Sequence, residues 1–170
     1  MEQSEIKRQN GNLKELIFSL ADPAAWELSR SISEKSIASF IGDDAFERID
    51  TVYLVGHGTS YASALTAELF FSHIAGLKAH CMTAYHFKRC INDYLTDPAH
   101  ALVIGYSTGG NTVSVVDSVA EARRLGAVSI GACGEKPSAL SAAGSYHLAS
   151  RVDQDHARPG KEFGGGYTVS

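Results

Sequence analysis

The sequence has no long apolar run and no cluster of basic residues. Its 170 residues carry 15 Lys and Arg against 19 Asp and Glu, a net charge of −4, whereas nucleic acids and anionic membranes attract clustered positive charge. No segment approaches the roughly 18–20 consecutive apolar residues that a membrane span needs, and the polar start MEQSEIKRQNGN is unlike a signal peptide. We therefore expect a cytoplasmic protein that binds neither nucleic acid nor membrane.

Cysteine is also scarce. Cys81, Cys90 and Cys133 form an odd number without a C-x-x-C spacing, which excludes a disulfide framework and a zinc finger. The seven histidines show no H-E-x-x-H motif, so no metal site is expected. We predict reduced thiols, mostly buried.

The apolar residues, 44% of the chain, are grouped in a way that predicts a parallel sheet. Residues 51–55 and 101–104 are short, partly β-branched runs, each followed by a glycine and a helix-like segment. Weaker strand candidates occupy residues 78–83, 127–131 and 146–149, and helical patterns fall near residues 60–75, 85–91 and 111–125. This alternation predicts an α/β three-layer sandwich with five parallel strands in a flavodoxin-like order and helices on both faces.

The domain boundaries follow from changes in composition. We expect a leader over residues 1–22, with a first helix capped by Asp22 and opened by Pro23. The domain proper is predicted over 23–150. Residues 151–170 hold Pro159 and four glycines, and we interpret them as a glycine-rich loop with the start of a connection to a further half.

Two Ser/Thr/Gly-rich turns follow predicted strands, at the edge where parallel sheets collect ligands. The first, Gly56–Tyr61, fails the dinucleotide motif G-x-G-x-x-G because Tyr61 replaces the third glycine. The second, Gly105–Thr112, resembles a P-loop but carries Asn111 in place of the lysine. NAD and ATP are therefore disfavoured, and no cofactor is expected.

Hydroxyl groups in these turns could surround a phosphate monoester, with backbone N–H groups completing the site; they belong to Ser60, Ser107, Thr108 and Thr112. The alternative is that these residues merely cap helices. His57 could face the ligand or be a surface residue. Glu162 could move a proton between carbon atoms, or be a solvated loop charge.

Three segments resemble the sugar isomerase (SIS) domain family, over about residues 22–170. Gly58-Thr59-Ser60-Tyr61 resembles its C-G-T-S-Y turn, residues 107–112 are similar to its S-Q-S-G-E-T loop, and residues 162–168 are similar to its E-x-G-V-A-S-T segment. The resemblance implies one set of phosphate-binding residues: Thr59, Ser60, Ser107, Thr108 and Thr112. It implies a second set that lines the sugar: His57, Gly58, Gly165, Gly166 and Tyr167.

The wording of these motifs is nearest to the double-SIS enzymes, which include the isomerase half of glucosamine-6-phosphate synthase and fructosamine-6-phosphate deglycases. The resemblance implies a domain that binds an amino- or ketohexose 6-phosphate and serves an aldose–ketose isomerase, aminotransferase-type isomerase or deglycase. Such enzymes move a proton between C1 and C2, and most of the acid–base residues would lie outside this chain, with Glu162 the candidate within it.

Two alternatives stay open. One is a non-catalytic SIS module that senses a phosphosugar, and the other is a half that folds only with a partner. A homodimer or higher homo-oligomer is expected in each case.

Overall fold

The computed structural model describes residues 23–40, 42–150, 152–153 and 166–167. Five strands form the main sheet: β1 (Thr51–Gly56), β2 (Lys78–Thr83), β3 (Ala101–Tyr106), β4 (Val128–Gly134) and β5 (Tyr146–Ser150). Six α-helices accompany them: α1 (Pro23–Ala38), α2 (Gly58–His73), α3 (Ala84–Arg89), α4 (Ile91–Tyr94), α5 (Val113–Arg124) and α6 (Ala139–Ala143). Single 3₁₀ turns at Asp44–Phe46 and Pro98–His100 lead into β1 and β3. The predicted leader, residues 1–22, lies outside the described residues.

The main sheet is entirely parallel, with the strand order β2-β1-β3-β4-β5. In β1, Thr51 is paired with Lys78 of β2 on one side and with Ala101 of β3 on the other. Nearly every residue of β1 and β3 is buried, as expected of strands covered on both faces. The predicted α/β class and flavodoxin-like order are confirmed.

Helices cover both faces of the sheet, each over its own apolar core. Phe40, just after α1, and Ala64 of α2 pack with Val52 and Leu54. On the opposite face, α3, α5 and α6 bury four large side chains: Phe87, Val115, Val119 and Leu140. Burying each of these contributes about 1.5–3 kcal/mol.

Two strand glycines let helices of the second face approach the sheet closely. A Cβ on Gly105 would lie 2.4 Å from Val119 Cγ2, and one on Gly131 would lie 2.3 Å from the Leu140 carbonyl oxygen. These contacts fix α5 and α6 over β3 and β4, and so fix the segments that enter both helices.

The three cysteines are free, but the prediction that they are mostly buried is wrong. Only Cys133 is buried, whereas Cys81 and Cys90 are partly exposed. Cys81 lies on β2, which ends the sheet and has a neighbour on one side only. In the part of the chain that the structure describes, no helix has the length and apolar character needed to cross a bilayer.

Candidate functional site

Both predicted turns lie at the carboxyl edge of the sheet, at the ends of adjacent strands. Residues 57–61 follow β1 and open α2, whereas residues 107–112 follow β3 and lead into α5. The chain leaves β1 towards β2 on one side and then crosses to β3 on the other. The two turns therefore flank the point where the strand order reverses, which is where open α/β sheets form a ligand crevice.

The first turn enters α2 without a side-chain cap. His57 is extended, with φ −138° and ψ 152°, and makes no cap hydrogen bond through its side chain. Gly58 has φ +55°, a conformation that glycine adopts readily. Ser60 is 8% exposed and Thr59 lies exposed beside it. N–H groups in an uncapped first helical turn can bind an anion.

The second turn brings two hydroxyl groups together. Ser107 is 6% exposed, and its N–H donates to the Ala132 carbonyl at 3.0 Å. Its Oγ lies 2.9 Å from Thr112 Oγ1. Thr112 is the N-cap residue of α5, yet its side chain makes no cap hydrogen bond. The two hydroxyls thus pair with each other in front of an uncapped helix.

Thr108 carries a buried hydroxyl oxygen with no hydrogen-bond partner among the described residues. Its carbonyl accepts from the Gly134 N–H at 3.1 Å, which ties the turn to the end of β4. Leaving a buried polar atom unpaired costs about 1–3 kcal/mol. Such an atom in a native fold indicates a group that is satisfied by something outside the chain.

Asn111, which replaces the P-loop lysine, braces the turn. Its amide nitrogen donates to the Gly109 carbonyl at 3.0 Å, and its Oδ1 accepts from the Ala139 N–H at 3.4 Å. The Gly110 carbonyl accepts from the Leu140 N–H at 2.8 Å. The turn is thereby attached to α6, a connection that local sequence reasoning did not predict because α6 lies almost 30 residues further along.

His57 links the first turn to α5. Its Nε2 lies 2.9 Å from Ser114 Oγ, and its ring centroid lies 4.7 Å from that of Tyr85. Tyr85 is 72% exposed and stands on α3, directly after β2. Sequence reasoning placed Tyr85 at this edge without a partner and did not single out Ser114; a serine on an α5 pattern gives no signal by itself.

The remaining predicted site residues fall in the closing segment. Glu162 and Gly165 lie outside the described residues. Gly166 and Tyr167 form a two-residue strand, β7, which pairs antiparallel with β6 (Val152–Asp153). Because β6 begins two residues after β5 ends, this pairing holds Gly166 and Tyr167 next to the segment that leaves the sheet.

A separate cavity of about 370 Å³ runs beside β2. It is lined by Tyr61, Glu68, His80, Cys81, Met82, Thr83, His86 and Tyr94. Glu68 Oε1 accepts the Cys81 N–H at 2.9 Å, so a side chain satisfies part of the strand edge. Burial, reinforced by the Glu68 charge, raises the pKa of the Cys81 thiol to about 12.

Cys133 and His147 lie close to each other but do not form an activated thiolate pair. Cys133 Sγ is 3.4 Å from His147 Nε2, which is also 3.1 Å from the Gly134 carbonyl oxygen. A nitrogen that donates to a carbonyl cannot accept the thiol proton, and burial raises the pKa of Cys133. Within the described residues, no group of three His, Cys, Asp or Glu side chains could hold a metal ion.

The family model of the SIS domain matches residues 46–164, which include both turns. The chain belongs to the SIS domain family. No curated protein matches this SIS domain. Several solved structures do, all with low sequence identity.

Three of these structures show the same fold. The C-terminal domain of glucosamine-fructose-6-phosphate aminotransferase from Francisella tularensis is 19% identical, with a TM-score of 0.59 over 74% of this chain and 37% of that one. A protein from an Escherichia coli strain, in complex with a sugar phosphate, is 15% identical, with a TM-score of 0.68 over 94% and 80%. The Vibrio vulnificus NanR protein complexed with ManNAc-6P is 14% identical, with a TM-score of 0.62 over 87% and 54%.

The SIS domain described here spans 37% of the length of the Francisella structure. It spans the same share of a Bacillus subtilis structure described as a candidate phosphosugar isomerase, to which it is 23% identical with a TM-score of 0.61. These two relatives therefore contain a further region that this chain does not match.

Proposed function

We propose that this SIS domain binds the phosphate group of a sugar phosphate between residues 57–61 and 107–112. The observation that carries the proposal is the buried, unpartnered Thr108 hydroxyl beside the Ser107–Thr112 hydroxyl pair. A phosphate monoester offers acceptor oxygens to all three hydroxyls and to N–H groups of the uncapped helices α2 and α5. Thr59 and Ser60 would complete the phosphate site from the first turn.

The charge of the turns favours a monoester over a polyphosphate. No Lys or Arg occurs in residues 52–68 or 102–121, and polyphosphate sites usually recruit those residues or a metal. Two helix N-termini, each equivalent to roughly half a positive charge, suit one compact dianion.

The solved relatives support a phosphosugar as the ligand. The Escherichia coli protein was solved with a sugar phosphate and NanR with ManNAc-6P. We propose an amino- or ketohexose 6-phosphate, whose sugar would contact His57, Gly58, Gly165, Gly166 and Tyr167.

We further propose that the domain serves an aldose–ketose isomerase, aminotransferase-type isomerase or deglycase that contains a second SIS half. The reaction would move a proton between C1 and C2 of the opened sugar, with Glu162 as a candidate base. Residues 57–61 and 107–112 contain no carboxylate, so these turns hold the substrate and the acid–base groups come from elsewhere. Residues 1–50 contain no helix-turn-helix pattern or basic arm that would indicate a DNA-binding regulator.

The lack of acid–base groups in both turns favours a second candidate function, a phosphosugar-sensing module without catalysis. Incubation with a hexose 6-phosphate in D₂O distinguishes the two. Exchange at C2 that is abolished by Glu162→Gln would show catalysis by this chain alone. Binding without exchange is expected for a sensor, or for a domain that needs its second half.

We also propose self-association through α2. Four large apolar side chains of this helix and its C-cap are exposed: Leu65, Leu69, Phe70 and Ile74, the last two by 61% and 74%. The only carboxylate on this helix, Glu68, is bonded to the β2 edge. A long helix with an uncharged, apolar outer face is typical of an interface, and an isologous dimer would place α2 against its own copy. A cytoplasmic location is supported by the three free thiols.

Thermal unfolding with candidate ligands tests the binding function. The ligands are fructose 6-phosphate and glucosamine 6-phosphate, with the unphosphorylated sugars, NAD and ATP as controls. A ligand at about 100 times its Kd stabilises the fold by roughly 2.7 kcal/mol. We expect an increase in Tm with the phosphosugars alone, and an equal increase with the unphosphorylated sugars would contradict the phosphate site.

A further inference from the structure

His57 is the one side chain in the two turns that can change its charge near neutral pH. Residues 57–61 and 107–112 contain no Lys, Arg, Asp or Glu. A phosphate bound there meets hydroxyls, backbone N–H groups and a single imidazole. An ordinary imidazole changes its charge between about pH 5 and 8, so the charge of this site depends on pH in that range.

The structure holds this imidazole between the two halves of the site. Its Nε2 lies 2.9 Å from Ser114 Oγ, in the first turn of α5. The Tyr85 ring lies against its other side, with 4.7 Å between the ring centroids. Because Thr112 immediately precedes α5, the imidazole stands at the helix end where we place the phosphate.

The charged and titratable groups of the neighbouring elements are accounted for. Lys88 of α3 and Asp117 of α5 form an ion pair with each other. His86 of α3 is bonded through Nε2 to the Tyr94 hydroxyl at 2.7 Å. Lys136, on the exposed loop after β4, is a second cation near this edge. Further groups belong to the last turns of their helices, away from the carboxyl edge: Arg89 of α3, and Glu121, Arg123 and Arg124 of α5.

We propose, on the basis of the phosphosugar site proposed above, that His57 takes up a proton when a phosphate dianion binds and supplies the positive side chain of the site. The neutral imidazole gains one proton from solvent and becomes an imidazolium, while the phosphate stays a dianion. The Nε2–H donates to Ser114 Oγ in this form, and Nδ1–H is available to the ligand. Phosphosugar affinity therefore rises as the pH falls through neutrality.

The sign follows from linkage. A dianion beside an imidazole favours its protonated form, so the pKa of His57 is higher in the complex than in the unliganded protein. The gain in affinity is complete below the pKa of the unliganded protein and is lost as pH rises through the pKa of the complex. Each unit between the two pKa values corresponds to about a tenfold change in affinity.

The test measures the Kd of fructose 6-phosphate by calorimetry from about pH 5.5 to 8.5, for the unmodified chain, His57→Gln and Lys136→Gln. The second ionisation of the phosphate, near about pH 6, affects all three proteins equally, so ratios of Kd are compared. We expect His57→Gln to bind about tenfold more weakly at the acidic end and within about threefold at the alkaline end. Lys136→Gln should show a ratio that is constant with pH.

Calorimetry of the unmodified chain in buffers of different ionisation enthalpy provides a readout that needs no variant. We expect uptake of up to one proton on binding near neutral pH, and none for His57→Gln. Binding with no proton uptake beyond that of the phosphate, and with equal ratios at every pH, would overturn the role of His57 and leave the phosphosugar site standing. Failure of the unmodified chain to bind any phosphosugar would overturn both.

Discussion

Ser107 Oγ and Thr112 Oγ1 lie 2.9 Å apart, one at the end of a buried strand and the other at the entrance of a helix. Each hydroxyl has one proton and two lone pairs, so the pair uses only part of its hydrogen-bonding capacity. A phosphate oxygen between them can accept from both. The pair is thus prepared for an anion and needs no change in the backbone to bind it.

Ser107→Ala and Thr112→Ala should each weaken binding of a sugar phosphate by about 1–2 kcal/mol, because each removes one hydrogen bond to a charged group. The free energy of unfolding without ligand should change by about 1 kcal/mol or less. Calorimetry measures the first and denaturant titration the second. Ser39→Ala, which removes a hydroxyl bonded to Ser36 at the far end of the domain, is the control. Unchanged affinity in both site variants would refute the assignment of this turn.

Thr108→Val should move stability and affinity in opposite directions. The change keeps the side-chain shape and removes a buried hydroxyl that has no partner in the described structure. The unliganded protein should become more stable by about 1 kcal/mol, while the Kd for a sugar phosphate increases several-fold. Unfolding curves with and without ligand measure both. A loss of stability in the unliganded protein would mean that the hydroxyl is satisfied within the chain.

Gly110→Ala should destabilise the fold by more than about 2 kcal/mol. Gly110 has φ +68°, and a Cβ there would lie 2.1 Å from Ser138 Oγ and 2.5 Å from its Cβ. Gly109→Ala is a matched control in the same turn, because a Cβ there meets nothing within 4 Å. Denaturant unfolding of the two variants should separate them clearly, and equal stability would argue against the tight turn.

The Cys81 thiol should react slowly with iodoacetamide at mildly alkaline pH, since burial raises its pKa to about 12. Glu68→Gln keeps an acceptor for the Cys81 N–H but removes the negative charge, so the pKa should fall and alkylation should begin at lower pH. Mass spectrometry over a series of alkaline pH values follows both proteins, with Cys90 as an internal reference. A Glu68→Gln profile identical to that of the unmodified chain would exclude the charge effect.

The same thiol makes stability depend on pH. Because the fold disfavours the thiolate, the contribution of Cys81 is fully present below the pKa of the unfolded thiol, about 8.5. It is lost progressively as the pH rises from there towards the folded value of about 12. Cys81→Ser removes this dependence, and denaturant titration at several alkaline pH values compares the two proteins.

Phe70→Lys should shift any dimer towards monomer, because it places a charge on the exposed apolar face of α2. Val113→Lys is the control, since Val113 is 72% exposed but lies at the entrance of α5 rather than on α2. Sedimentation velocity of the three proteins at several concentrations measures the change. If the unmodified chain is monomeric throughout, or if both variants dissociate equally, α2 is not the contact surface.

The strand order was predictable because each strand carries its own signal. Residues 51–55 and 101–104 are apolar and end at glycines, and the alternation with helices leaves few topologies for a parallel sheet. The observed β4 runs to Gly134, three residues past the predicted end. Its last residues, Gly131-Ala132-Cys133-Gly134, resemble a turn in composition, and the packing of Leu140 against Gly131 extends the strand.

The site was only partly predictable. Ser107 and Thr112 are close in sequence, so one turn brings them together. The contacts of His57 with Ser114 and Tyr85 join segments 57 and 28 residues apart, and they depend on how α3 and α5 pack over the sheet. No local pattern encodes such a contact. The attachment of Asn111 to α6 was missed for the same reason.

The turn at residues 107–112 is fastened on three sides: to β4 through Thr108 and Gly134, to α6 through Gly110 and Leu140, and to itself through Asn111. A ligand that enters such a rigid cradle loses almost no free energy to ordering the chain there, and its capture speed is set by diffusion into the crevice. Differences in affinity among phosphosugars should therefore arise in their residence times, governed by the parts of the sugar that project beyond the phosphate.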